Sequence, residues 1–162
     1  GHHETTRGCL LAFENLAKRM SFNNVLDLGT GTGLLALVAK RRNARQCLAT
    51  DIDGEAVQRA MANTRQNDVN GLKFITATGM RHAIIQKTAP YDLIFANILA
   101  GPLVELAPDI CRALDRNGRL ILAGLIKPQQ QQVEARYKAQ GLVLEFRRTL
   151  GDWPVLGCRK GR

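Results

Sequence analysis

Three alternating glycines, Gly29, Gly31 and Gly33, follow the apolar run Val25-Leu26-Asp27-Leu28, and Thr50-Asp51-Ile52-Asp53 closes the next apolar segment. The first stretch reads as a buried strand that breaks into a glycine loop. The second reads as a strand that ends in an acid. Set side by side in a parallel sheet, the two would bring glycines and carboxylate to one crevice. Glycine lets backbone approach a ligand closely, and a carboxylate at Asp51 can accept from both hydroxyls of a ribose. The pair describes a site for a nucleoside-containing cofactor. Asp53 lies beyond the strand and is placed as the cap of a helix opening at Gly54. The plain alternative is a glycine-rich turn between strand and helix.

The spacing separates cofactor classes. A dinucleotide fingerprint is G-x-G-x-x-G, but here Gly33 follows Gly31 after one residue and position 34 is Leu34. The G-x-G-x-G loop, preceded by Asp27, resembles that of the class I methyltransferases, which bind S-adenosylmethionine. A pyrophosphate at a helix N-terminus disfavours a nearby acid. S-adenosylmethionine carries no phosphate and is cationic, so Asp27 suits it.

The run Tyr91 to Ala96 is apolar enough for a strand covered on both faces, and Asn97 follows it before Gly101-Pro102. An amide there would stand at the carboxyl edge of the fourth strand, offering donors and an acceptor. The alternative is a turn residue at a strand end. Thr5 and Thr6 are placed at the start of the first helix, where their hydroxyls would cap backbone amides. His2 and His3 are adjacent without further ligands, so no metal site is expected. Cys9, Cys47, Cys111 and Cys158 form no C-x-x-C and read as buried thiols. His82 is too isolated to serve as a base.

The elements that must position these residues follow from the pattern. A helix is expected over Thr6 to Met20 and strands over Val25 to Leu28 and Gln46 to Thr50. A strand over Leu72 to Ala77 and a short helix around Arg81 to Gln86 come next. One helix is then expected from Pro102 to Leu114, an Asn117-Gly118 turn into a strand over Arg119 to Ala123, and a helix from Pro128 to Ala139. Leu142 to Leu150 and Trp153 to Arg159 read as a closing hairpin around Gly151-Asp152. The fold class is α/β: a Rossmann-like, doubly wound, mostly parallel sheet.

Composition sets the outer bounds. The chain has 162 residues, 45% hydrophobic, enough for one domain with a real core. No apolar run spans a bilayer and no apolar signal core opens the chain, so a cytoplasmic protein without membrane contact is expected. With 23 Lys and Arg against 14 Asp and Glu, the net charge is +9. That balance suits an RNA-rich neighbourhood, although few aromatics interleave the basic clusters. A solvated basic face is the alternative.

In order along the chain stand Gly1-His2-His3-Glu4-Thr5-Thr6, Asp27 to Gly33, Thr50 to Asp53, and Asn97-Ile98-Leu99-Ala100-Gly101-Pro102-Leu103 with Glu105-Leu106-Ala107-Pro108. The series resembles the PrmA family, methyltransferases of ribosomal protein L-eleven, over essentially the whole chain. The resemblance implies a seven-stranded class I sheet with an antiparallel strand at its C-terminal end. It implies that S-adenosylmethionine is contacted by Thr6, Gly29, Asp51 and Asn97; the loop itself adds Asp27 and Gly31 to the cofactor-binding residues. Asn97 would also align the acceptor and is the one residue assigned to catalysis. The implied reaction is N-methylation of lysine and N-terminal amines on a large-subunit ribosomal protein, with ribosomal RNA as a second contact through the basic surface. Two departures stand out. Thr30 occupies a place where the family often has cysteine. The family also has a separate N-terminal domain that grips its acceptor, whereas residues 1–162 read as the methyltransferase domain alone. An RNA or small-molecule methyltransferase, and a non-catalytic module binding the same cofactor, remain as alternatives.

Overall fold

The first helix, α1 (His2–Ala17), precedes an alternation of β1 (Asn24–Leu28), α2 (Leu34–Arg41), β2 (Gln46–Asp51), α3 (Gly54–Gln66), β3 (Leu72–Thr76), α4 (Ala83–Thr88) and β4 (Tyr91–Asn97). After these come α5 (Ala100–Glu105), α6 (Ala107–Ala113), β5 (Leu114–Ala123), α7 (Lys127–Ala139), β6 (Val143–Leu150) and β7 (Trp153–Arg159). The structure is a computed structural model that describes residues 2–162; Gly1 lies outside them.

The strands form one seven-stranded sheet in the order β3-β2-β1-β4-β5-β7-β6. The first five are mutually parallel, and β7 runs antiparallel to both β5 and β6. The single reversed strand therefore stands second from the edge. Composition explains the placement. β7 is buried from Pro154 to Cys158 and takes the interior slot, while β6 alternates exposed and half-buried residues and carries Glu145, Arg147 and Arg148. Charges of this kind blunt an edge strand against stray pairing.

Each sheet face is covered. Phe13 and Leu16 of α1 pack with Leu35 and Ala36 of α2 over Val25, Phe95 and Val155. On the other face Ile85, Leu103, Ile110 and Tyr137 pack over Leu26, Ile94 and Leu120. Right-handed crossovers run every helix antiparallel to the strands. All βα loops thus gather at the carboxyl edge of the sheet, and the N-terminus of α1 joins them there.

Three expectations need correction. The first helix starts at His2, not Thr6, and ends at Ala17, not Met20; no breaker precedes Thr6, and Glu4 suits a first turn. Thr5 and Thr6 are consequently interior to the helix, not its caps. The helix expected from Pro102 to Leu114 is broken at Leu106, because Pro108 has no N–H to give the Val104 carbonyl. The carbonyls at the break are taken by α7 instead: Arg136 Nε donates to Val104 O at 2.9 Å and the buried Tyr137 hydroxyl donates to Leu103 O at 2.7 Å. Finally, β5 starts at Leu114. Tyr91 pairs with Leu114 and Leu93 with Arg119, so the expected Asn117-Gly118 turn is an excursion within the strand, with Asn117 at φ 63°.

Tyr137→Phe keeps the packing and removes only the hydroxyl. It leaves the Leu103 carbonyl buried without that partner, which should cost about 1–3 kcal/mol. Urea unfolding of the two proteins measures the difference, and an unchanged midpoint would show that α5 and α6 do not depend on this tie.

Candidate functional site

The glycine loop is tied to the end of β2. Gly29 N–H and Thr30 N–H both donate to Thr50 O, at 3.0 and 2.8 Å. One residue on, Asp51 Oδ2 accepts the Gly31 N–H at 2.9 Å and Oδ1 accepts the Asp53 N–H at 3.0 Å. Each carboxylate oxygen has two acceptor sites, so Asp51 keeps one on each for further donors. Asp53 caps α3 as expected, accepting from Glu55 N at 3.0 Å. Gly31 and Gly33 hold φ of 57° and 84°, values that favour glycine. Asn63 of α3 fixes the loop from outside, donating to Thr32 O at 3.0 Å.

Asp27 sits beneath the loop and is fully buried. The Thr30 hydroxyl donates to its Oδ2 at 2.7 Å, whereas its Oδ1 has no hydrogen-bond partner. Burial pushes the Asp27 carboxyl up from 3.8 to about 6, against lowering by the Thr30 hydroxyl and the Ala36 amide.

Asn97 ends β4 half-buried, and among the described residues its side-chain amide has no hydrogen-bond partner. Its neighbourhood is shaped by two glycines. A Cβ on Gly29 would lie 2.5 Å from Ile98 Cγ2 and 3.1 Å from Asn97 O; a Cβ on Gly124 would lie 2.2 Å from Ile98 O. The segment Asn97-Ile98 is thus held between the loops after β1 and β5. Thr6 stands half-buried near the start of α1, at the same edge of the sheet. This end of α1 lies by the start of β7: a Cβ on Gly8 would meet Val155 Cγ2 at 2.5 Å.

The topology brings Thr6, Asp27, Gly29, Gly31, Asp51 and Asn97 to one edge. Sequence alone missed three contributions: the Gly124 contact, the Asn63 tie, and an apolar rim. Ile52 is 69% exposed and Leu99 73%, with Leu34 and Ile126 also exposed; each follows a strand end at this edge. Single exposed apolar side chains are common, but four around one crevice suit a ligand that covers them. The strand-end position of Ile52 beside Asp51 was the available signal.

The chemistry of this donor set fits a cationic nucleoside. Asp51 offers acceptors to hydroxyls, the glycines admit backbone-close contact, and the buried Asp27 Oδ1 has no hydrogen-bond partner among the described residues. His82 and the cysteines are structural. His82 Nδ1 accepts from Ile84 N at 3.1 Å as the cap of α4. The four cysteines are buried and free, and burial raises all their pKa values, Cys111 to about 11. Among the described residues no group of His, Cys, Asp and Glu could hold a metal ion, and no helix is long and apolar enough to cross a membrane.

Strand order, reversed β7 and the glycine loop beside Asp51 define a class I methyltransferase fold. The chain belongs to the PrmA family, ribosomal protein L11 methyltransferase, whose model matches residues 1–161. It is 45% identical over 156 residues to a ribosomal protein L11 methyltransferase of a Caulobacter species, covering 96% of this chain and 54% of that one. It is 44% identical over 161 residues to that of Bradyrhizobium diazoefficiens, covering 99% and 55%. The chain thus spans about half the length of the curated relatives it matches. Among solved structures it resembles the ribosomal protein L11 methylase of Lactobacillus delbrueckii subsp. bulgaricus, with a TM-score of 0.89 and 28% identity over 99% of this chain and 80% of that one.

Asp27 makes a prediction about pH. Its folded-state pKa of about 6 lies above the ordinary 3.8, so the folded protein holds the proton more tightly. The stability this adds is complete below about pH 4 and is lost as pH rises through 6, up to about 3 kcal/mol. Asp27→Asn removes the titration while keeping an acceptor for Thr30. Urea unfolding at pH 4, 5, 6 and 7 should show a decline in the parent that is absent in the variant. Parallel curves would assign the decline elsewhere.

Proposed function

We propose that residues 1–162 act as a methyltransferase domain that binds S-adenosylmethionine and methylates amines of ribosomal protein L11. The observation that carries the reading is the Asp51 carboxylate, which braces the glycine loop through Gly31 and keeps acceptor capacity toward the crevice. Family membership supports the same acceptor, since the relatives bear that name.

Bound S-adenosylmethionine would supply a methyl on a sulfonium, a good leaving group. The chain's own residues bind, orient and exclude water. Asp51 holds the ribose hydroxyls. Gly29 and Gly31 let the loop backbone approach. Thr6 reaches the ligand from α1, and Asp27 offers Oδ1 to its ammonium from below. Asn97 presents its side-chain carbonyl to an N–H of the acceptor amine, which turns the nitrogen lone pair toward the methyl. A lysine has a reference pKa of about 10.4 and must be neutral to attack. The apolar rim of Leu34, Ile52, Leu99 and Ile126 favours that neutral form by desolvation. Transfer of labelled methyl into free L11, against transfer into RNA, tests the acceptor; label in RNA alone would replace it.

Two substitutions divide the site. Asp51→Ala should weaken S-adenosylmethionine binding more than tenfold, since each hydrogen bond to a charged acceptor is worth about 1.5–3 kcal/mol. Calorimetry on the folded variant reads this directly, and unchanged affinity would remove Asp51 from the ribose. Asn97→Ala should instead lower single-turnover rates by about a hundredfold, with a smaller change in cofactor affinity, because it misplaces the amine. Wild-type rates at saturating substrates would leave Asn97 as a turn residue.

A further inference from the structure

The sheet's other edge, where the parallel strands begin, carries the opposite charge character. α1, α2 and α3 all end there. Lys18 and Arg19 follow α1, Arg41 and Arg42 end α2, Arg45 precedes β2, and Arg65 stands in the last turn of α3. All six are exposed.

Two contacts tie α2 to its neighbours on either side at this edge. Arg42 pairs with Glu14 of α1, and Arg41 Nη2 reaches Asn67 O after α3 at 3.3 Å. Among the described residues, Lys18, Arg19, Arg41, Arg45 and Arg65 have no ion pair. The acids sharing this part of the edge are Glu14, Asp68 and Asp92. Glu14 is taken by Arg42, and Asp92 accepts from the Asn23 and Asn24 backbone at 2.7 and 3.0 Å.

Helix dipoles account for cations in the last turns of α2 and α3. They do not account for Lys18, Arg19 and Arg45, which lie outside helices. The surface has few apolar anchors for a membrane: of the exposed large apolar residues, Leu34, Ile52, Leu99 and Ile126 stand at the carboxyl edge, Leu11 lies midway along α1, and Val143 opens the edge strand β6. It lacks exposed aromatics for base stacking as well, since Phe22 and Tyr91, which lie at this edge, are buried. What remains is a set of exposed guanidinium and ammonium groups, all but Arg42 without an ion pair among the described residues, the chemistry that engages phosphates of a duplex without reading sequence.

We propose that this surface, formed by Lys18, Arg19, Arg41, Arg42, Arg45 and Arg65, docks on the phosphate backbone of duplex RNA. The choice of RNA rests on the reading that the acceptor is a ribosomal protein. The two edges are separated by the strand length, roughly 20 Å. RNA held here leaves the crevice open, so docking and cofactor binding are independent. The surface concentrates the enzyme where its acceptor is found and takes no part in the chemistry.

The test uses residues 1–162 and a fluorescent 20-base-pair RNA duplex, with anisotropy read from 50 to 200 mM salt. Binding should fall steeply with salt. Combined Arg41→Gln, Arg45→Gln and Arg65→Gln should weaken it at least tenfold at 50 mM and flatten the slope by nearly three units, about 0.9 per lost phosphate contact on a duplex. A control with Arg59→Gln, Arg81→Gln and Lys127→Gln, cations elsewhere on the surface, should bind as the parent does. Circular dichroism and S-adenosylmethionine calorimetry, unchanged in the first variant, separate loss of docking from loss of fold or cofactor site. Saturating S-adenosylmethionine should leave duplex affinity unchanged. No duplex binding at 50 mM, equal loss in the control, competition by S-adenosylmethionine, or tighter binding to phosphatidylserine vesicles than to the duplex would each overturn the proposal. Failure of methyl transfer to L11 with duplex binding intact would instead count against the acceptor reading alone.

Discussion

The site depends on a steric constraint: the loops after β1 and β5 close on the β4 loop with no side chain of their own at Gly29 and Gly124. Gly29 from one side and Gly124 from the other enclose Asn97-Ile98, and a Cβ on Gly124 would lie 2.2 Å from the Ile98 carbonyl oxygen. Real atoms do not approach so closely, so the β4 loop would have to move. Both glycines also hold positive φ, 76° and 91°, which makes any substitution strained apart from the collision. The consequence reaches Asn97. Its amide is placed by the backbone on either side of it and not by hydrogen bonds of its own. An amide without partners is available to a ligand, but only if something else holds it still.

Asp27 shows a second form of the same economy. A buried carboxylate with one orphaned oxygen costs stability at neutral pH. The chain retains it where α2 opens out of the glycine loop, and Thr30 moderates the cost by donating a hydroxyl to the other oxygen. A cysteine at this place would be a weaker donor. Departures from ideal burial gather at functional positions, and this one lies directly below the crevice.

The order of elements was legible from apolar runs and glycine or proline punctuation, because each strand of a covered parallel sheet is nearly continuous in hydrophobicity. Asp53 as a cap, the Gly151-Asp152 hairpin and the closing strands all stand where the sequence puts them. The failures have different causes. Leu106 breaks a helix whose freed carbonyls are met by Arg136 and Tyr137 some 30 residues later. Asn117-Gly118 turns the chain, yet Leu114 before it still pairs with Tyr91. Thr6 looked like a cap because helix starts are read from side chains, while the helix extends back to His2 through residues with no strong signal. At the site, residue types revealed Asp51 and Asn97. Gly124 and the apolar rim emerge only once strand order shows which loops are neighbours.

The division of charge between the two edges follows from the same topology. Helices in this fold point their N-termini, with partial positive charge, at the crevice. That geometry suits phosphate, and a bare glycine loop would invite one. Here Asp27 lies under the start of α2, Asp51 braces the loop, and Asp53 and Glu55 stand at the start of α3. These acids set negative charge against the helix dipoles at that end, although Arg59 pairs with Asp53 and Glu55 at 3.9 and 4.0 Å. The helix C-termini, with partial negative charge, meet the other edge, where Arg41 and Arg65 offset them and Lys18, Arg19 and Arg45 carry the surface past neutrality. The net charge of +9 thus coexists with an acidic crevice because the two are at opposite ends of the same strands.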